Sequence, residues 1–597
     1  MTTTIDFETE AIAGNPLIHP PKPVGVSIKY GDRPGEYLSW GHPGENNSTL
    51  HAATERLDMI ASSNEDLLFH NAGFDMSVMR EHMGIEIADP LRVRDTMYSI
   101  FLADPYAANM ALKPSAERIL NWPPEEQDTL REWIVANVKG ANKSNFGAFI
   151  ALAPADLVGP YAIGDVDRTY ALDKHIQTPR APYQREQKLL PILTRATRRG
   201  IRIDTERLGE DLAMYESTLV RCDDQLRKLL GSASVNIDSA DELADALENA
   251  GLVSRWILTP TGKRSTAREA LEACIKDPGV SHLLQYRNAL AHCLGNFMRT
   301  WSAMVDDRGL LHPEWNSVRQ PRGEKTTKGA RTGRLSSSGP GFMNIPNEYE
   351  VFIPKGMPDL PIMRRYVKPH EGRIWIKRDY SQQELRILAH FTEGKLFERY
   401  LEDPTIDAHD ETRILVRDKT GKNFSRKPIK ITGFSVVYGS GISGLARQLA
   451  VTTAEATSVR EAYFAALPEV RKLMRACSRR GRDGVGITTW GGRHYLAEPP
   501  KTVKGRRLTF EYKLLNYLIQ GSAADCTKEA MIRHDSDPGD GELLVSVHDE
   551  LDGDAPADNW KPAMKKLKNA MESIELDVKM LSDGFVGQTW AELEEVE

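Results

Sequence analysis

The sequence has 597 residues, 40% hydrophobic and 27% charged, which is the composition of folded globular proteins and excludes disordered or fibrous classes. At roughly 150 residues per domain, this length predicts about four folding units. The net charge of −7, from 77 basic and 84 acidic side chains, excludes a simple polycation but allows local basic surfaces beside acidic sites.

The cysteines and the N-terminus indicate a cytoplasmic protein. The five cysteines are scattered, odd in number and not paired as CxxC, which favours reduced thiols over disulfides or a zinc site. The first ten residues, MTTTIDFETE, lack the basic and apolar regions of a secretion signal. No stretch approaches the ~18 apolar residues that span a bilayer, so we expect no membrane partner.

The first 180 residues have an α/β pattern, in which β-branched runs such as TTTIDF and VGVSIKY are followed by helical patterns. Asp6 and Glu8 are two residues apart and would share one face of a strand, although an exposed polar strand explains this pair equally well. Asp75 ends the segment NAGFD. Tyr161 and Asp165 are four residues apart in YAIGD and would share one face of a helix.

The segments DFE, NAGFD and YAIGD resemble, in this order, the three motifs of the proofreading 3′–5′ exonuclease domain of DNA polymerases. The resemblance implies a ribonuclease H-like exonuclease domain in residues 1–180, in which Tyr161 positions the attacking water. It also implies two divalent ions bound by four carboxylates, those of Asp6, Glu8, Asp75 and Asp165. Two metal ions suit phosphodiester hydrolysis, because they activate water and stabilise the leaving oxygen.

Residues 181–318 have a mainly helical pattern, in which LAMYESTLVRCDDQLRKLL shows apolar spacing near 3.6. The segment LTPTGKRST resembles the thumb signature of the family A DNA polymerases, the DNA polymerase I group. Its Lys263 and Arg264 suit contacts with DNA phosphates. The resemblance implies a mainly helical thumb and connection without the insertion that recruits thioredoxin in some phage relatives, so we do not expect thioredoxin as a partner.

A basic stretch from Arg319 to Arg334 opens the next part, residues 319–390, with six basic residues and one acid. It ends in TGRLSSS and continues to NIP, which resembles a further signature of the same family. The resemblance places Arg334 in the minor groove of the primer duplex.

Two acids are predicted at the ends of strands. Asp379 follows the apolar run RIWIK, and Asp549 lies at a predicted hairpin turn in LLVSVHDEL. Either could be an ordinary acidic turn, but together they could meet in one sheet. The segments RDYSQQELR and HDE resemble motifs A and C of family A, which implies that Asp379, Asp549 and Tyr380 hold two magnesium ions. Glu550 would then have an auxiliary role, and His548 would approach the primer terminus.

Residues 391–508 contain a helical stripe with a period of four: Arg426, Lys430, Phe434 and Tyr438. A basic amphipathic helix is the alternative on spacing alone. The segment RKPIKITGFSVVYGSG resembles motif B, which implies that Arg426 and Lys430 grip the incoming triphosphate. Phe434 would pack by the sugar, and Tyr438 would close on the nascent base pair. Pro428 departs from the family pattern and leaves the placement of Arg426 open.

Three more residues are implied as nucleotide contacts. His409 matches a triphosphate-contacting position, and Gln382 lies within motif A. The resemblance implies that Glu384 crowds the sugar 2′ position and so excludes ribonucleotides by a clash. Outside this motif, Glu384 would be interpreted as an ordinary surface residue of a helix.

Residues 509–597 contain NYLIQGSAAD, which resembles the family's Q-helix. The resemblance implies that Asn516 and Gln520 contact minor-groove acceptors, which every correct base pair presents. Tyr512 stands where the family often has arginine.

The resemblance as a whole implies an α/β multidomain protein, in which the ribonuclease H-like exonuclease domain is followed by a right-hand polymerase. The palm would comprise 319–390 and 509–597, the fingers 391–508, and the thumb with its connection 181–318. We expect a template-directed DNA polymerase with proofreading, which uses two Mg²⁺ ions at the polymerase site and two divalent ions at the exonuclease site, with Mn²⁺ as a substitute. Primer-template DNA and dNTPs would be its ligands, and we expect a monomer.

The compact arrangement resembles a bacteriophage replicative enzyme without a 5′ nuclease domain. Such an enzyme would act in the host bacterial cytoplasm with replisome proteins such as a helicase-primase and a single-strand binding protein. Two alternatives stay open. A single-subunit RNA polymerase is opposed by Glu384 and the exonuclease motifs, and a non-catalytic DNA-binding scaffold is opposed by Asp379 and Asp549.

Overall fold

The computed structural model describes residues 2–259, 261–322, 326–503 and 505–596. Parts of two predicted signatures lie outside these ranges, namely Pro260 of LTPTGKRST and residues 323–325 of the basic stretch. The described chain contains two five-stranded sheets, joined by a long helix and a mainly helical part. A search of the described helices finds none long and apolar enough to cross a membrane.

The N-terminal part is an α/β unit built around its first strand. Its elements are β1 (Thr2–Thr9), β2 (Pro23–Tyr30), β3 (Glu36–Ser39), α1 (Leu50–Ala61), β4 (Asp66–Phe69), α2 (Ala72–Met83), β5 (Val93–Asp95), α3 (Thr96–Ala103), α4 (Leu112–Leu120), α5 (Glu125–Asn137) and α6 (Ala155–His175). The sheet order β3-β2-β1-β4-β5 makes β1 central. Ile5 and Phe7 enter the core, so strand alternation turns Asp6 and Glu8 to the opposite face.

A mainly helical part follows. Its elements are α7 (Arg180–Arg199), β6 (Ile201–Ile203), α8 (Thr205–Leu229), α9 (Ala240–Asn249), α10 (Arg268–Cys274), α11 (Pro278–Cys293), α12 (Arg299–Met304), β7 (Leu310–Leu311), β8 (Glu314–Asn316), β9 (Gln320–Arg322), β10 (Thr326–Lys328), β11 (Ser336–Ser338) and β12 (Val367–Lys368). Strand β6 pairs with β7 and with β12, so the beginning and the end of the helical part meet in one small sheet.

The second large sheet holds the C-terminal part together. The elements are β13 (Arg373–Tyr380), α13 (Gln383–Thr392), α14 (Lys395–Glu402), α15 (Ala408–Thr420), α16 (Arg426–Val437), α17 (Ile442–Leu449), α18 (Thr453–Ala466), α19 (Pro468–Arg482), β14 (Ile487–Thr488), β15 (His494–Tyr495), β16 (Lys501–Val503), β17 (Arg506–Leu508), α20 (Leu514–Ser536), β18 (Glu542–Val547), β19 (Glu550–Pro556), α21 (Lys561–Glu572), β20 (Ser582–Gly587) and β21 (Leu593–Val596). The order is β18-β19-β13-β20-β21, with antiparallel neighbours throughout. The apolar run RIWIK thus forms the central strand, which explains its hydrophobicity.

A buried ionic network fixes α7 against the C-terminal part. The carboxylate of Glu186 on α7 accepts hydrogen bonds from Arg493 at 2.6 Å and from Lys528 at 2.7 Å. Asp525 on α20 accepts a second bond from Arg493, at 2.5 Å. All four side chains are buried, and each charge has an opposite partner, as buried charges require. The network therefore joins α7, which follows the N-terminal unit, to α20 of the C-terminal part.

Candidate active sites

The carboxylates predicted for the exonuclease domain meet between a strand and a helix. Asp6 and Glu8 lie on β1 and Asp165 lies on α6, and one oxygen of each lies within 4.8 Å of the others. Asp75 on α2 is 2% exposed and accepts a hydrogen bond from the N–H of Phe7 at 3.1 Å. The structure therefore brings three of the predicted acids together and places the fourth, Asp75, beside the strand that carries Asp6 and Glu8.

Burial raises the pKa of each of these acids, and the charge of another acid of the set adds to the shift at Asp6, Glu8 and Asp75. Burial raises the pKa of Asp6 to about 7, with a further contribution from the charge of Asp165. The pKa values of Glu8, Asp75 and Asp165 are raised too, and burial is again the largest cause. A set of carboxylate oxygens suits a hard divalent cation such as Mg²⁺ or Mn²⁺, which would offset the buried negative charge.

Asp95, which the sequence analysis missed, holds the helix that carries Asp75. Its two carboxylate oxygens accept hydrogen bonds from the N–H groups of Asn71 at 3.0 Å and Ala72 at 2.9 Å. Asn71 has a φ of 72°, a value that asparagine adopts more readily than most residues. Asp95 belongs to no recognised motif, so nothing in the sequence marked it.

Lys113 is a second residue that the sequence analysis missed. Its Nζ lies 2.5 Å from the carboxylate of Asp165 and 3.7 Å from the ring centroid of Tyr161. Tyr161 is half-buried and lies one helical turn before Asp165 on α6. Lys113 lies on α4, between the second and third acidic motifs, and no spacing pattern connects it with them.

Asp379 and Asp549 lie at the ends of adjacent strands in the second sheet. Strand β13 ends one residue after Asp379, and the two residues His548 and Asp549 form the turn between β18 and β19. Asp379 is paired with Glu550, and the N–H of Tyr380 donates to the carbonyl of Asp549 at 3.3 Å. The predicted hairpin is confirmed, and the two strand-end acids meet.

These two acids share a half-buried, negative environment. Burial raises the pKa of Asp379 to about 7, and the charges of Asp549 and Glu550 add to the effect. Burial also raises the pKa of Asp549. Within the part of the chain that the structure describes, neither Asp379 nor Asp549 forms an ion pair. Two carboxylates that remain free in this way fit a divalent cation.

Glu550 lies beside them, but its carboxylate is already bound. One oxygen lies 2.5 Å from Nζ of Lys377, and the other accepts hydrogen bonds from Arg364 at 3.3 Å and from Trp590 at 3.2 Å. Burial alone would raise the pKa of Glu550, but Lys377 and Arg364 lower it. Lys377 and Arg364 were missed by the sequence analysis. Glu550 is therefore part of an ion-pair network that supports the site from one side.

Two predicted residues of motif A use their side chains to hold the fold. The hydroxyl of Tyr380 donates to the carbonyl of Met571 at 2.9 Å in the core, which leaves only its backbone carbonyl for a metal ion. Gln382 has a φ of 58°, and its side-chain oxygen accepts the N–H of Ala408 at 2.8 Å. The Gln382 side chain thus fixes the start of α15, which carries His409, and does not lie open to a nucleotide.

Helix α16 presents the predicted stripe. It begins at Arg426, so Pro428 lies in the first turn, where a missing N–H leaves no helical bond unmade. The rings of Phe434 and Tyr438 are 5.8 Å apart and stacked, and the ring of His409 lies 5.6 Å from that of Phe434. The aromatic residues of the stripe and His409 therefore share one side of α16.

The two basic residues of this stripe differ in how freely they could bind a ligand. Arg426 lies 2.5 Å from Asp407, and Asp407 also caps α15 by accepting the N–H of His409 at 2.9 Å. Lys430 is exposed. A triphosphate would have to compete with Asp407 for Arg426, whereas Lys430 needs no such exchange.

Glu384 connects α13 with α16 and the TGRLSSS segment. It forms an ion pair with Arg334 and accepts a hydrogen bond from the hydroxyl of Tyr438 at 3.2 Å. Burial raises the pKa of Glu384, and Arg334 opposes that shift. Arg334 also lies close to His548, whose pKa is lowered by burial and then by this guanidinium. Glu384 and Arg334, the predicted sugar gate and minor-groove residue, therefore contact one another near Asp549.

The other predicted DNA contacts lie in two places. Asn516 and Gln520 are one turn apart on α20, and the side-chain oxygen of Asn516 has no hydrogen-bond partner among the described residues. Lys263 and Arg264 lie apart from them, on a turn beside α9, where Arg264 pairs with Asp245 at 2.5 Å. A DNA phosphate that binds Arg264 would have to displace the acids of α9 from it.

The departure at Tyr512 has a packing role. Its ring lies against Gly439, where α16 ends, so closely that an added Cβ on Gly439 would lie 2.7 Å from a ring carbon. Gly439 also has a φ of 69°, which favours glycine. Tyr512 therefore supports the end of the helix that carries Tyr438.

The arrangement defines a class of protein: an α/β unit with a mixed five-stranded sheet, followed by a multidomain polymerase fold. Residues 205–592 match the family model described as DNA polymerase family A. Among solved structures, the POL domain of Pol1 from M. smegmatis, in complex with DNA primer-template and dNTP, covers 99% of this chain and 95% of that chain. Its TM-score of 0.75 at 21% identity shows a shared fold.

The relatives identified by sequence carry polymerase names. The chain is 32% identical to the thermostable DNA polymerase I of Thermus filiformis, over 68% of this chain and 48% of that protein. It is 28% identical to the DNA polymerase I of Chloroflexus aurantiacus, over 98% of this chain and 61% of that protein. It is 27% identical to the DNA-directed DNA polymerase of Pseudomonas phage M6, over 95% of this chain and 89% of that protein.

The chain belongs to DNA polymerase family A, because the family model matches more than half of it. The predicted family and the predicted fold class are both confirmed. The chain spans only 48% of the Thermus protein and 61% of the Chloroflexus protein, about half of the length of these relatives.

Proposed function

We propose that this chain is a template-directed DNA polymerase that adds dNTPs to a primer 3′ end and proofreads with a 3′–5′ exonuclease. The observation that carries the proposal is the meeting of Asp379 and Asp549 at adjacent strand ends, beside the contact group of Arg334, Glu384 and Tyr438. The names of the family A relatives support the same activity.

The polymerase site would work by holding the reacting groups in place. Asp379 and Asp549 would hold two Mg²⁺ ions. When bound, these ions would lower the pKa of the primer hydroxyl and offset the negative charge of the triphosphate. Lys430 and, after exchange with Asp407, Arg426 would bind the triphosphate oxygens. Phe434 and Tyr438 would pack against the sugar and base.

The exonuclease site would use the four-acid cluster of the N-terminal unit. Asp6, Glu8, Asp75 and Asp165 would hold two divalent ions, and Tyr161 would orient the attacking water. Their oxygen-only donor set and buried negative charge support this role.

The domain limits that we propose are those of the sequence analysis. The exonuclease would occupy 1–180, the thumb and connection 181–318, the fingers 391–508, and the palm 319–390 with 509–597. We propose a supporting role at the palm site for Glu550 and Tyr380. The ion-pair network on Glu550 and the hydrogen bond of the Tyr380 hydroxyl in the core support it.

We also propose primer-template DNA as the macromolecular ligand. Arg334, Asn516 and Gln520 would contact the minor groove, and Lys263 with Arg264 would contact phosphates. A phage replicative setting, in a bacterial cytoplasm with other replisome proteins, is supported by the extent of the match to the Pseudomonas phage M6 polymerase.

Primer extension on a recessed template tests the proposal. With Mg²⁺ and dNTPs the primer should lengthen, with ribonucleotides it should not, and without nucleotides it should shorten from its 3′ end. Extension with ribonucleotides would favour an RNA polymerase, and no extension with any nucleotide would favour a DNA-binding scaffold.

A further inference from the structure

The N-terminal acidic cluster already contains a cation of the chain itself. The side chain of Lys113 reaches from the first turn of α4 and is 12% exposed. Its ammonium lies 2.5 Å from the carboxylate of Asp165 and 3.7 Å from the ring centroid of Tyr161. Lys113 therefore contacts both residues that α6 contributes to this site.

The position of this ammonium matters because of the charges around it. Asp165 also lies within 4.8 Å of Asp6 and Glu8, so three carboxylates converge on a small volume. Their repulsion is offset by Lys113, which opposes the upward pKa shift at Asp6 and at Glu8. A divalent ion is positively charged, like the ammonium of Lys113, and would bind the same carboxylate oxygens of Asp165.

We propose that Lys113 is the resident cation of this cluster and that a divalent ion must displace it from Asp165 in order to bind. The inference deepens the proposed exonuclease function and rests on it for the identity of the ion. Lys113 acts as a positioning residue: it holds Asp165 and covers one face of Tyr161 while the cluster is without metal. Metal binding and release of Tyr161 are thereby linked through one side chain.

The exchange sets the metal affinity of the site. Every divalent ion that binds Asp165 must first break a half-buried ion pair, so the apparent affinity is lower than the carboxylates alone would give. Without Lys113, metal should bind more tightly, and the metal-free domain should be less stable because the acids lose their counter-charge.

Mn²⁺ titration of the full chain, followed by electron paramagnetic resonance of the free ion, tests this. Asp379→Asn and Asp549→Asn would first be introduced to remove metal binding at the palm. In that background Lys113→Met should bind Mn²⁺ about tenfold more tightly, equivalent to roughly 1.4 kcal/mol. The control Lys143→Met removes an exposed lysine of the same domain and should leave the affinity unchanged.

A second readout follows thermal unfolding. In chelator, Lys113→Met should unfold at a lower temperature than the Lys143→Met control, and Mn²⁺ should raise its unfolding temperature by more. Should Lys113→Met not fold, Lys113→Gln carries the same prediction, because it removes the charge and keeps a hydrogen-bond donor. Unchanged or weaker Mn²⁺ binding by a folded Lys113 variant would overturn the proposal.

Degradation of single-stranded DNA at saturating Mn²⁺ separates this proposal from the exonuclease assignment. Tighter Mn²⁺ binding by the Lys113 variant without any degradation by the parent would retain the cation exchange and reject the exonuclease. Degradation by the parent, with no gain in Mn²⁺ affinity on removing Lys113, would reject the cation exchange and retain the exonuclease.

Discussion

Neighbouring side chains decide which carboxylates remain available at the site of Asp379 and Asp549. Asp549 and Glu550 are adjacent in sequence, yet burial raises the pKa of Asp549, whereas Lys377 and Arg364 overcome burial and lower that of Glu550. Glu550 therefore has its counter-charges within the chain. At Asp549 the charges of Arg334 and His548 offset only part of the effect of burial, so we expect metal binding to depend on Asp549 together with Asp379.

The raised pKa of Asp379 predicts a pH dependence of stability in the metal-free protein. Its pKa is about 7 when folded and near 3.8 when unfolded, so the folded state binds the proton more tightly. The contribution of Asp379 is therefore full below 3.8 and is lost as the pH rises towards about 7. Thermal unfolding in chelator should show stability falling over this range.

Asp379→Asn, which cannot ionise, should reduce that fall, and saturating Mg²⁺ should reverse it in the parent. Asp558→Asn, at an exposed acid, is the matched control. If the stability of Asp379→Asn had the same pH profile as that of the parent, the raised pKa of Asp379 would be contradicted.

Glu384 yields a prediction about sugar selection. It is held between Arg334 and Tyr438, so its side chain has little freedom to move aside for a 2′-hydroxyl. Glu384→Ala should lower the preference for dNTPs over ribonucleotides by about 10–200-fold, the range expected for a pocket contact. Steady-state incorporation of matched dNTP and ribonucleotide pairs measures this preference.

Glu384→Gln is the control, because it keeps the size of the side chain and loses only the charge. It should retain most of the discrimination. If the alanine variant rejected ribonucleotides as strongly as the parent, the steric role of Glu384 would be wrong.

The β18–β19 hairpin explains why the acidic strand β19 can be buried. Asp552 accepts a hydrogen bond from the indole N–H of Trp375 at 3.0 Å. Asp554 accepts hydrogen bonds from Arg373 at 2.6 Å, from Arg199 at 3.1 Å and from the ring of His370 at 2.7 Å. These contacts fasten the strand that positions Asp549 to β13 and to the end of α7.

Asp554 should therefore be a stability residue. Burial alone would raise its pKa, but His370, Arg199 and Arg373 lower it to about 2, so its ionised form stabilises the fold above 3.8 and loses that effect as the pH falls towards about 2. Asp554→Asn should cost roughly 1–3 kcal/mol at neutral pH, because it removes the charged acceptor of hydrogen bonds from three half-buried cationic side chains. Denaturant unfolding against Asp558→Asn measures this, and equal midpoints would contradict the role.

Across the whole molecule, the elements that carry the recognised motifs could be predicted from the sequence. The α/β pattern of the first 180 residues, the helical middle, the hairpin at His548 and the helix that begins at Arg426 were all recognisable from local periodicity and turn residues. Asp379 and Asp549 were predicted to meet because both end apolar runs, and antiparallel strands can bring such ends together.

The supporting residues could not be predicted in this way. Lys113, Asp95 and Lys377 act through partners far away in sequence, and none belongs to a repeated spacing. The motifs predicted that the side chains of Gln382 and Glu550 belong to the site, but these side chains form hydrogen bonds with other residues of the chain. Such competition depends on tertiary neighbours, which a single sequence does not specify.

The two acidic sites lie in separate parts of the chain, which the buried network on Glu186 joins. The most direct measurement compares primer extension and single-strand degradation by Asp549→Ala and Asp6→Ala. We expect Asp549→Ala to abolish extension and still degrade DNA, and Asp6→Ala to do the reverse. Loss of both activities in both variants, with circular dichroism showing folded protein, would contradict it.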